Sequence, residues 1–291
     1  MSDPIIKPEL TEYLTFMHQL AGAAAKETLT LFRQPIDVDN KGSKMDQNFD
    51  PVTAADRNAE AAMRALIQTR YPGHDIIGEE GGQEQNGPES WVDRWQWVLD
   101  PIDGTRAFIS GIPLWGTLIA LNDGNGPVLG MMDQPYLGER YFGNEYGSFL
   151  SRYSPDVSAD PAQTTGQNLK PIGVRPCPSL AQATLSTTDP TFFPDQNQIT
   201  AFETVAAKSK LVRNGYDCYA YCMVAMGQMD LVIESGLAPY DIQALIPIIE
   251  GAGGIVTNWT GGSPDQGGHV IAAGDPRVHA EALDILQKAV S

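Results

Sequence analysis

Cysteine is scarce: three in 291 residues, at 177, 218 and 222. So low and odd a count excludes a disulfide framework. Cys218 and Cys222 stand four apart in an apolar stretch and are expected to pack in a core. Histidine is scarcer than its chemistry requires. His18, His74, His269 and His279 are the full set, and none adjoins an acidic cluster. A Ser-His-Asp triad and a nitrogen–sulfur metal site are therefore poorly supported. Bases are few as well, 19 Lys and Arg against 36 Asp and Glu, for a formal net charge of -17. A nucleic-acid duplex needs a positive surface, so no nucleic acid is expected as a partner. An anionic membrane is disfavoured on the same ground. No apolar run reaches the roughly 18 residues of a membrane helix. The opening MSDPIIKPEL joins no basic stretch to an apolar one, so neither a secretory signal nor a membrane span is expected. A cytoplasmic location is the expectation.

What is present suits an ordinary folded chain, with 42% hydrophobic and 19% charged residues. The length allows one large domain or two lobes. Apolar residues recur at helical spacing from Glu9 to Gln34, ended by Pro35. A second helix is expected from Thr53 to just before Tyr71. "HDIIGEEGG" reads as a strand entering a glycine-rich turn. "WQWVLDPI", "LWGTLIAL", "PVLGMMD" and "RYFGN" read as strands of an antiparallel or mixed sheet. Residues 151 to 178, rich in Ser, Pro, Gln, Asp and Thr, read as a long connection between lobes 1–150 and 151–291. The second half alternates strands with helices at Gln196–Lys208, Tyr216–Met226, Asp241–Glu250 and Pro276–Ala289. Pro247 should bend or interrupt the third of these. An α/β, layered architecture follows.

Four acidic stretches carry the candidate chemistry. In "WVLDPIDGT", Asp100 and Asp103 close an apolar run with no lysine beside them. Two nearby carboxylates repel unless a cation joins them. Pro101 keeps Asp100 out of helical geometry, and the Ile102 carbonyl can turn toward the same pocket. Gly104 and Thr105 offer N–H groups and a hydroxyl suited to phosphate. A plain β-turn with Asp at its corners explains the segment equally well. "IIGEEGG" brings Glu79 and Glu80, which point apart if extended; a solvated turn is the alternative. In "DPVTAADRNAE", Thr53 and Asp56 suit a helix cap and the helix dipole without any chemistry. In "APYDIQALIPIIEGAGG", Asp241 can likewise be a cap. Together, Asp56, Glu79, Asp100, Asp103 and Asp241 form an all-oxygen set, the donor type of a hard cation such as Mg2+.

The stretches "DPVTAAD", "GEE", "DPIDGT" and "YDIQALIPIIEGAGG", in that order, resemble the Mg2+-dependent inositol monophosphatase-like phosphatases over roughly Leu10 to Leu286. "DPIDGTRAFISGIPLWGTLI", "RNGYDCYAYC" and "AAGDPRVHAEAL" resemble the histidinol-phosphate phosphatase branch more than the inositol branch. The resemblance implies an αβαβα five-layer sandwich, a homodimer, and a small phosphorylated substrate. It implies two or three Mg2+ ions held by Glu79, Asp100, the Ile102 carbonyl, Asp103 and Asp241. It implies that Asp56 and Thr105 activate water, and that Gly104, Thr105, Arg213, Asp217 and Glu234 bind substrate. Tyr240 stands where the inositol branch has Trp. The loop from Lys41 to Asp50 is longer than usual, so Lys41 and Lys44 both remain candidates for a catalytic-loop lysine.

The implied activity is phosphomonoester hydrolysis, of histidinol phosphate first and of inositol phosphate or another small monoester second. A non-catalytic phosphosugar-binding protein would have no need of Thr105 with Asp56. A carboxylate-pair glycosidase would have no need of the Gly-Thr phosphate cradle.

Overall fold

Residues 6–40, 51–87, 94–153 and 169–290 are described in a computed structural model of the chain. Helix α1 (Thr11–Leu31) buries Leu14, Met17, Leu20, Ala21 and Ala24 along one stripe. Strands β1 (Val38–Asn40) and β2 (Pro51–Thr53) pair antiparallel, and β2 leads directly into α2 (Ala54–Arg70). The chain then runs through β3 (Asp75–Gly78), β4 (Gly82–Glu84), β5 (Gln96–Asp103) and the short helix α3 (Thr105–Ile109). It continues into β6 (Gly116–Asn122), β7 (Pro127–Gln134), β8 (Glu139–Asn144), β9 (Gly147–Arg152) and β10 (Leu169–Ile172). These form an eight-stranded mixed sheet in the order β10-β9-β8-β7-β6-β5-β3-β4. Only β3 and β5 run parallel within it.

The second half supplies β11 (Thr184–Thr187), α4 (Gln196–Lys208), β12 (Leu211–Asn214) and α5 (Asp217–Ala225). After these come β13 (Leu231–Leu237), α6 (Pro239–Ile242), α7 (Leu245–Gly251), β14 (Ile255–Asn258), β15 (Gly268–Ala273) and α8 (Pro276–Leu286). Its strands form a five-stranded mixed sheet in the order β12-β11-β13-β15-β14.

The layers follow from strand periodicity. Ile119 and Leu121 of β6 face α1 and α2, together with Trp97, Leu99 and Met131. Leu118 and Ala120, on the alternate face, meet α5 and α7. The far side of that helical layer packs on Val232, Val256, Val270 and Ala272 of the smaller sheet. Helices α4 and α8 cover its outer face through Phe202, Val205, Val278 and Leu286. The result is the expected α/β architecture in five layers. The middle helices lie unusually close to the large sheet. A Cβ on Gly130 of β7 would stand 1.9 Å from the Ala244 carbonyl oxygen, and one on Gly143 of β8 2.3 Å from that of Pro247.

Two expectations change. The single helix expected over Asp241–Glu250 is two helices, α6 and α7, broken at Gln243–Ala244. Pro247 causes this, because it offers no N–H to the Gln243 carbonyl four residues earlier and its ring crowds that position. The segment expected as a lobe connection contains β10, which pairs antiparallel with β9 from Leu169 opposite Ser151 to Ile172 opposite Ser148. The large sheet therefore extends beyond residue 150, a position that falls inside β9. β10 has no amphipathic alternation, and its pairing comes from the edge of β9. Among the described residues no helix is long and apolar enough to cross a membrane.

Candidate active site

The parallel pairing of β3 with β5 sets Gly78 opposite Leu99. Glu79 and Asp100 therefore leave two neighbouring strand ends side by side, and the Glu79 N–H donates to the Leu99 carbonyl at 3.2 Å. Beyond Asp100, strand β5 bulges. Asp100 pairs with Leu118 and Asp103 with Gly116, so Pro101 and Ile102 oppose Thr117 alone. The buried Thr117 hydroxyl donates to the Pro101 carbonyl at 2.8 Å, and the Ile102 N–H to Asp100 Oδ1 at 3.0 Å. The bulge turns both carboxylates into one cleft. Gly104 follows with φ 93°, and a Cβ there would press on the Leu114 carbonyl at 2.8 Å. Only glycine serves at that turn.

Thr53 and Asp56 do cap α2. Asp56 Oδ2 accepts from the Thr53 N–H at 2.9 Å and the Thr53 hydroxyl at 2.6 Å, while Thr53 Oγ1 accepts from the Ala55 N–H at 3.1 Å. The other oxygen, Oδ1, lies 3.3 Å from Thr105 Oγ1, which is also 3.1 Å from the Ile102 carbonyl. Asp56, 1% exposed, thus has one oxygen in the cap and one toward the cleft. Asp241 is similarly divided. Its Oδ2 accepts from the Ala238 N–H at 2.6 Å, and its carboxylate joins Asp100 and Asp103 with one oxygen of each within 4.8 Å of the others. The Cys218 N–H, in the first turn of α5, donates to Asp103 Oδ1 at 2.9 Å.

This cleft measures about 500 Å3. Glu79, Asp100, Asp103, Asp217, Glu234 and Asp241 line it, against Arg106 as the one cationic side chain among the described residues. Burial pushes the Asp100 carboxyl well above the ordinary range, and the charges of Glu79, Asp103 and Asp241 push it further. Burial does the same to Asp103, with Asp217 and Asp241 adding to it. Such a set needs a positive partner to be ionised at neutral pH. Carboxylates and a carbonyl with no nitrogen or sulfur ligand suit a hard divalent cation, so the residues present fit Mg2+. Among the described residues, Asp100, Asp103 and Asp241 form a group able to hold a metal ion, and Glu79 and Ile102 line the same cleft.

The distal wall comes from the second half. Glu234 on β13, 4% exposed, accepts from the Thr187 hydroxyl at 3.1 Å and from the Thr188 N–H and hydroxyl at 2.6 and 3.0 Å. Burial nevertheless pushes its carboxyl up to about 8, overriding those donors. Asp217 opens α5 with φ 45°, a left-handed backbone unusual for a residue with a Cβ. Burial lifts it to about 6, while a hydrogen bond from Thr188 and the charge of Arg106 hold it down. Arg106 lies over the Phe192 ring, 4.2 Å from its centroid. Arg213 is placed elsewhere. It is exposed on β12, its guanidinium donates to the Tyr216 hydroxyl at 2.9 and 2.6 Å, and it does not line the cleft. Lys41 and Lys44 lie outside the described residues. Cys218 and Cys222 are buried in the middle core, as expected.

Several cleft residues escaped the sequence reading. Thr188, Phe192 and Tyr221 line the cleft and were assigned no role in the sequence, and Thr187 reaches it only through Glu234. Arg106, next to Thr105, was likewise assigned no role. Glu60, four residues after Asp56 on the same face of α2, was the available signal for what supports the turn at Glu79.

The family model described as the inositol monophosphatase family matches residues 9–291. A protein named bifunctional phosphatase IMPL2, chloroplastic, from Arabidopsis thaliana is 40% identical over 288 residues, covering 96% of this chain and 76% of that protein. A protein named histidinol-phosphatase from Streptomyces coelicolor is 30% identical, covering 97% of this chain and 99% of that protein. A solved inositol monophosphatase structure from Zymomonas mobilis superposes with a TM-score of 0.79 at 37% identity, covering 97% of this chain and 100% of that one. The chain belongs to the inositol monophosphatase family.

Proposed function

We propose that the protein is a Mg2+-dependent phosphomonoesterase that hydrolyses L-histidinol phosphate to L-histidinol and phosphate, a step of histidine biosynthesis. The observation that carries the choice of substrate is the second pair of acids, Asp217 and Glu234, on the wall of the cleft beyond the Asp100–Asp103–Asp241 cluster. A phosphate gains nothing from them, whereas the ammonium of histidinol phosphate gains a charge-assisted contact, above all from Asp217, which ionises more readily than Glu234. The similarity to a histidinol-phosphatase over nearly the whole chain supports the same reading.

Two or three Mg2+ ions at the acidic cluster would supply positive charge to the phosphoryl oxygens and lower the pKa of water in the cleft. The chain's own residues do the rest. Thr105 gives its hydroxyl proton toward Asp56 Oδ1 and so turns its oxygen lone pairs to an attacking water. As water loses a proton to Thr105 Oγ1, the threonine proton passes to Asp56 Oδ1, while Thr53 holds Oδ2 fixed. The N–H groups of Gly104 and Thr105 receive phosphate oxygens as charge builds there. Such a proton path has no purpose in a protein that only binds, which argues against the binding-module reading.

Hydrolysis of inositol-1-phosphate is the second reading, supported by the likeness to the Zymomonas mobilis enzyme. On the strength of the family resemblance and the sequence reading, the working form is proposed to be a cytoplasmic homodimer. Phosphate release from histidinol phosphate, inositol-1-phosphate, fructose-1,6-bisphosphate and 3′-phosphoadenosine-5′-phosphate, each with Mg2+ and with chelator, tests the proposal. The highest kcat/KM should fall on histidinol phosphate, and only with Mg2+. A preference for inositol-1-phosphate would overturn the substrate.

A further inference from the structure

The turn that presents Glu79 is held by a side chain from another element. Glu60 of α2 is 1% exposed. Its Oε2 accepts from the Glu80 N–H at 2.7 Å and its Oε1 from the Gly81 N–H at 2.7 Å. Arg64, one turn further along α2, donates from Nε to Glu60 Oε1 at 2.7 Å and from Nη2 to the Gly82 carbonyl. The pair thus meets three consecutive backbone positions immediately after Glu79. The fit leaves no spare room. A Cβ on Gly78 would stand 2.4 Å from Glu60 Oε1, and one on Gly81 2.8 Å from both Glu60 Oε1 and Arg64 Nε. The glycines on either side of Glu79 and Glu80 are what let the backbone close on the buried carboxylate.

Helix geometry gives this contact a second consequence. Residues four apart share one face of a helix. Asp56 and Glu60 therefore project from the same side of α2, Asp56 to Thr105 and Glu60 to the Glu79 turn. One rigid helix sets the distance between the proton acceptor and the edge of the acidic cluster. A charged, nearly inaccessible glutamate is costly to keep unless its position matters. Here both carboxylate oxygens are used by backbone donors of a single partly exposed turn, which has little other reason to be so firmly tied.

We infer that Glu60, clasped by Arg64, is a positioning residue for this enzyme: it fixes Glu79 as a cation ligand and keeps that ligand in register with Asp56. The inference rests on the Mg2+ reading proposed above. Glu60 does not line the cleft and touches no substrate. It acts through Glu79, so its loss should weaken Mg2+ binding before it affects the phosphoester. Removing a group that orients a metal ligand costs about 10- to 100-fold in metal affinity.

The test is calorimetric titration of Mg2+ into the metal-free full chain, for the wild type, Glu60→Gln and Gly81→Ala. Glu60→Gln turns an NH2 toward one backbone donor. Gly81→Ala alters an exposed turn residue and adds one methyl that Glu60 and Arg64 must yield to, so it keeps the test open should Glu60→Gln fold poorly. Both variants should bind Mg2+ about 10- to 100-fold more weakly. With Mg2+ raised to saturation, their KM for phosphoester should return to the wild-type value. Wild-type Mg2+ affinity in the variants would overturn the inference, as would lowered thermal stability with unchanged affinity, since Glu60 would then serve the fold alone. Failure of the wild type itself to bind Mg2+ would instead overturn the metal reading, a separate result.

Discussion

Thr105 Oγ1 lies 3.3 Å from Asp56 Oδ1, joining the second residue after the Asp100–Asp103 bulge to the first turn of α2. The two residues come from chain segments 49 positions apart. Because Thr53 occupies the other Asp56 oxygen, capping and proton acceptance are compatible. Thr105→Ala should lower kcat by about 100- to 10,000-fold, the usual worth of a positioned acid–base group. Mg2+ binding and KM should change little, and Thr105→Ser should recover most of the rate. If Thr105→Ala leaves kcat intact, Asp56 is a helix cap and nothing more.

Asp103 illustrates the cost of assembling buried acids in one cleft. Its carboxyl is driven upward by burial and by Asp217 and Asp241. Asp103→Asn removes one repelling charge while keeping an oxygen for the Cys218 N–H. The metal-free variant should therefore melt a few degrees above the metal-free wild type near pH 8, on the scale of roughly 2–4 °C per kcal/mol for a chain of this size. The stabilisation by Mg2+ expected for the wild type should vanish, and kcat with it. Thermal scans with chelator and with Mg2+ read both effects, and a lower Tm in chelator would contradict the account.

Glu234 gives a pH signature. Its folded value of about 8 stands above the ordinary 4.5 because of burial. Between those values the folded state binds the proton that the unfolded chain releases. Stability from this group is complete below pH 4.5 and is lost as pH rises through 8. Urea unfolding of the metal-free protein at about pH 5 and about pH 8 should show the wild type losing more stability over that window than Glu234→Gln. Equal losses would mean that the Thr187 and Thr188 donors keep Glu234 ionised throughout.

Packing between the layers predicts a structural failure. At Gly130 an added Cβ meets the Ala244 carbonyl at 1.9 Å, and a backbone oxygen cannot rotate away. Gly130→Ala should cost at least about 1–3 kcal/mol, measured by urea unfolding. It should also weaken Mg2+ binding, because Ala244 follows α6, the helix that carries Asp241.

Much of this arrangement was legible in the sequence because it is local. The bulge at Asp100–Asp103 is announced by Pro101 and Gly104, and the α2 cap by Thr53 and Asp56 three apart. What was not legible depends on contacts distant in sequence. β10 is a strand because β9 offers it an edge. The break between α6 and α7 was foreseen at Pro247 but lies four residues earlier, where the missing hydrogen bond falls. Thr187 and Thr188 hold Glu234 because β11 and β13 run parallel beside each other. Glu60 looked like any helical glutamate until the glycine-bounded turn closed over it.

Asp217 tests the central claim, that the cleft takes a phosphomonoester bearing a cationic amine. Asparagine tolerates the left-handed backbone at this position, so Asp217→Asn changes the charge and keeps the turn. A charge-assisted contact to an ammonium is worth about 1.5–3 kcal/mol, or about 10- to 100-fold in rate. The decisive measurement is kcat/KM of wild type and Asp217→Asn on histidinol phosphate and on inositol-1-phosphate, both with saturating Mg2+. The account predicts a loss of about 10- to 100-fold on histidinol phosphate and almost none on the neutral ester. Equal losses on both, or a wild type that prefers inositol-1-phosphate, would contradict it.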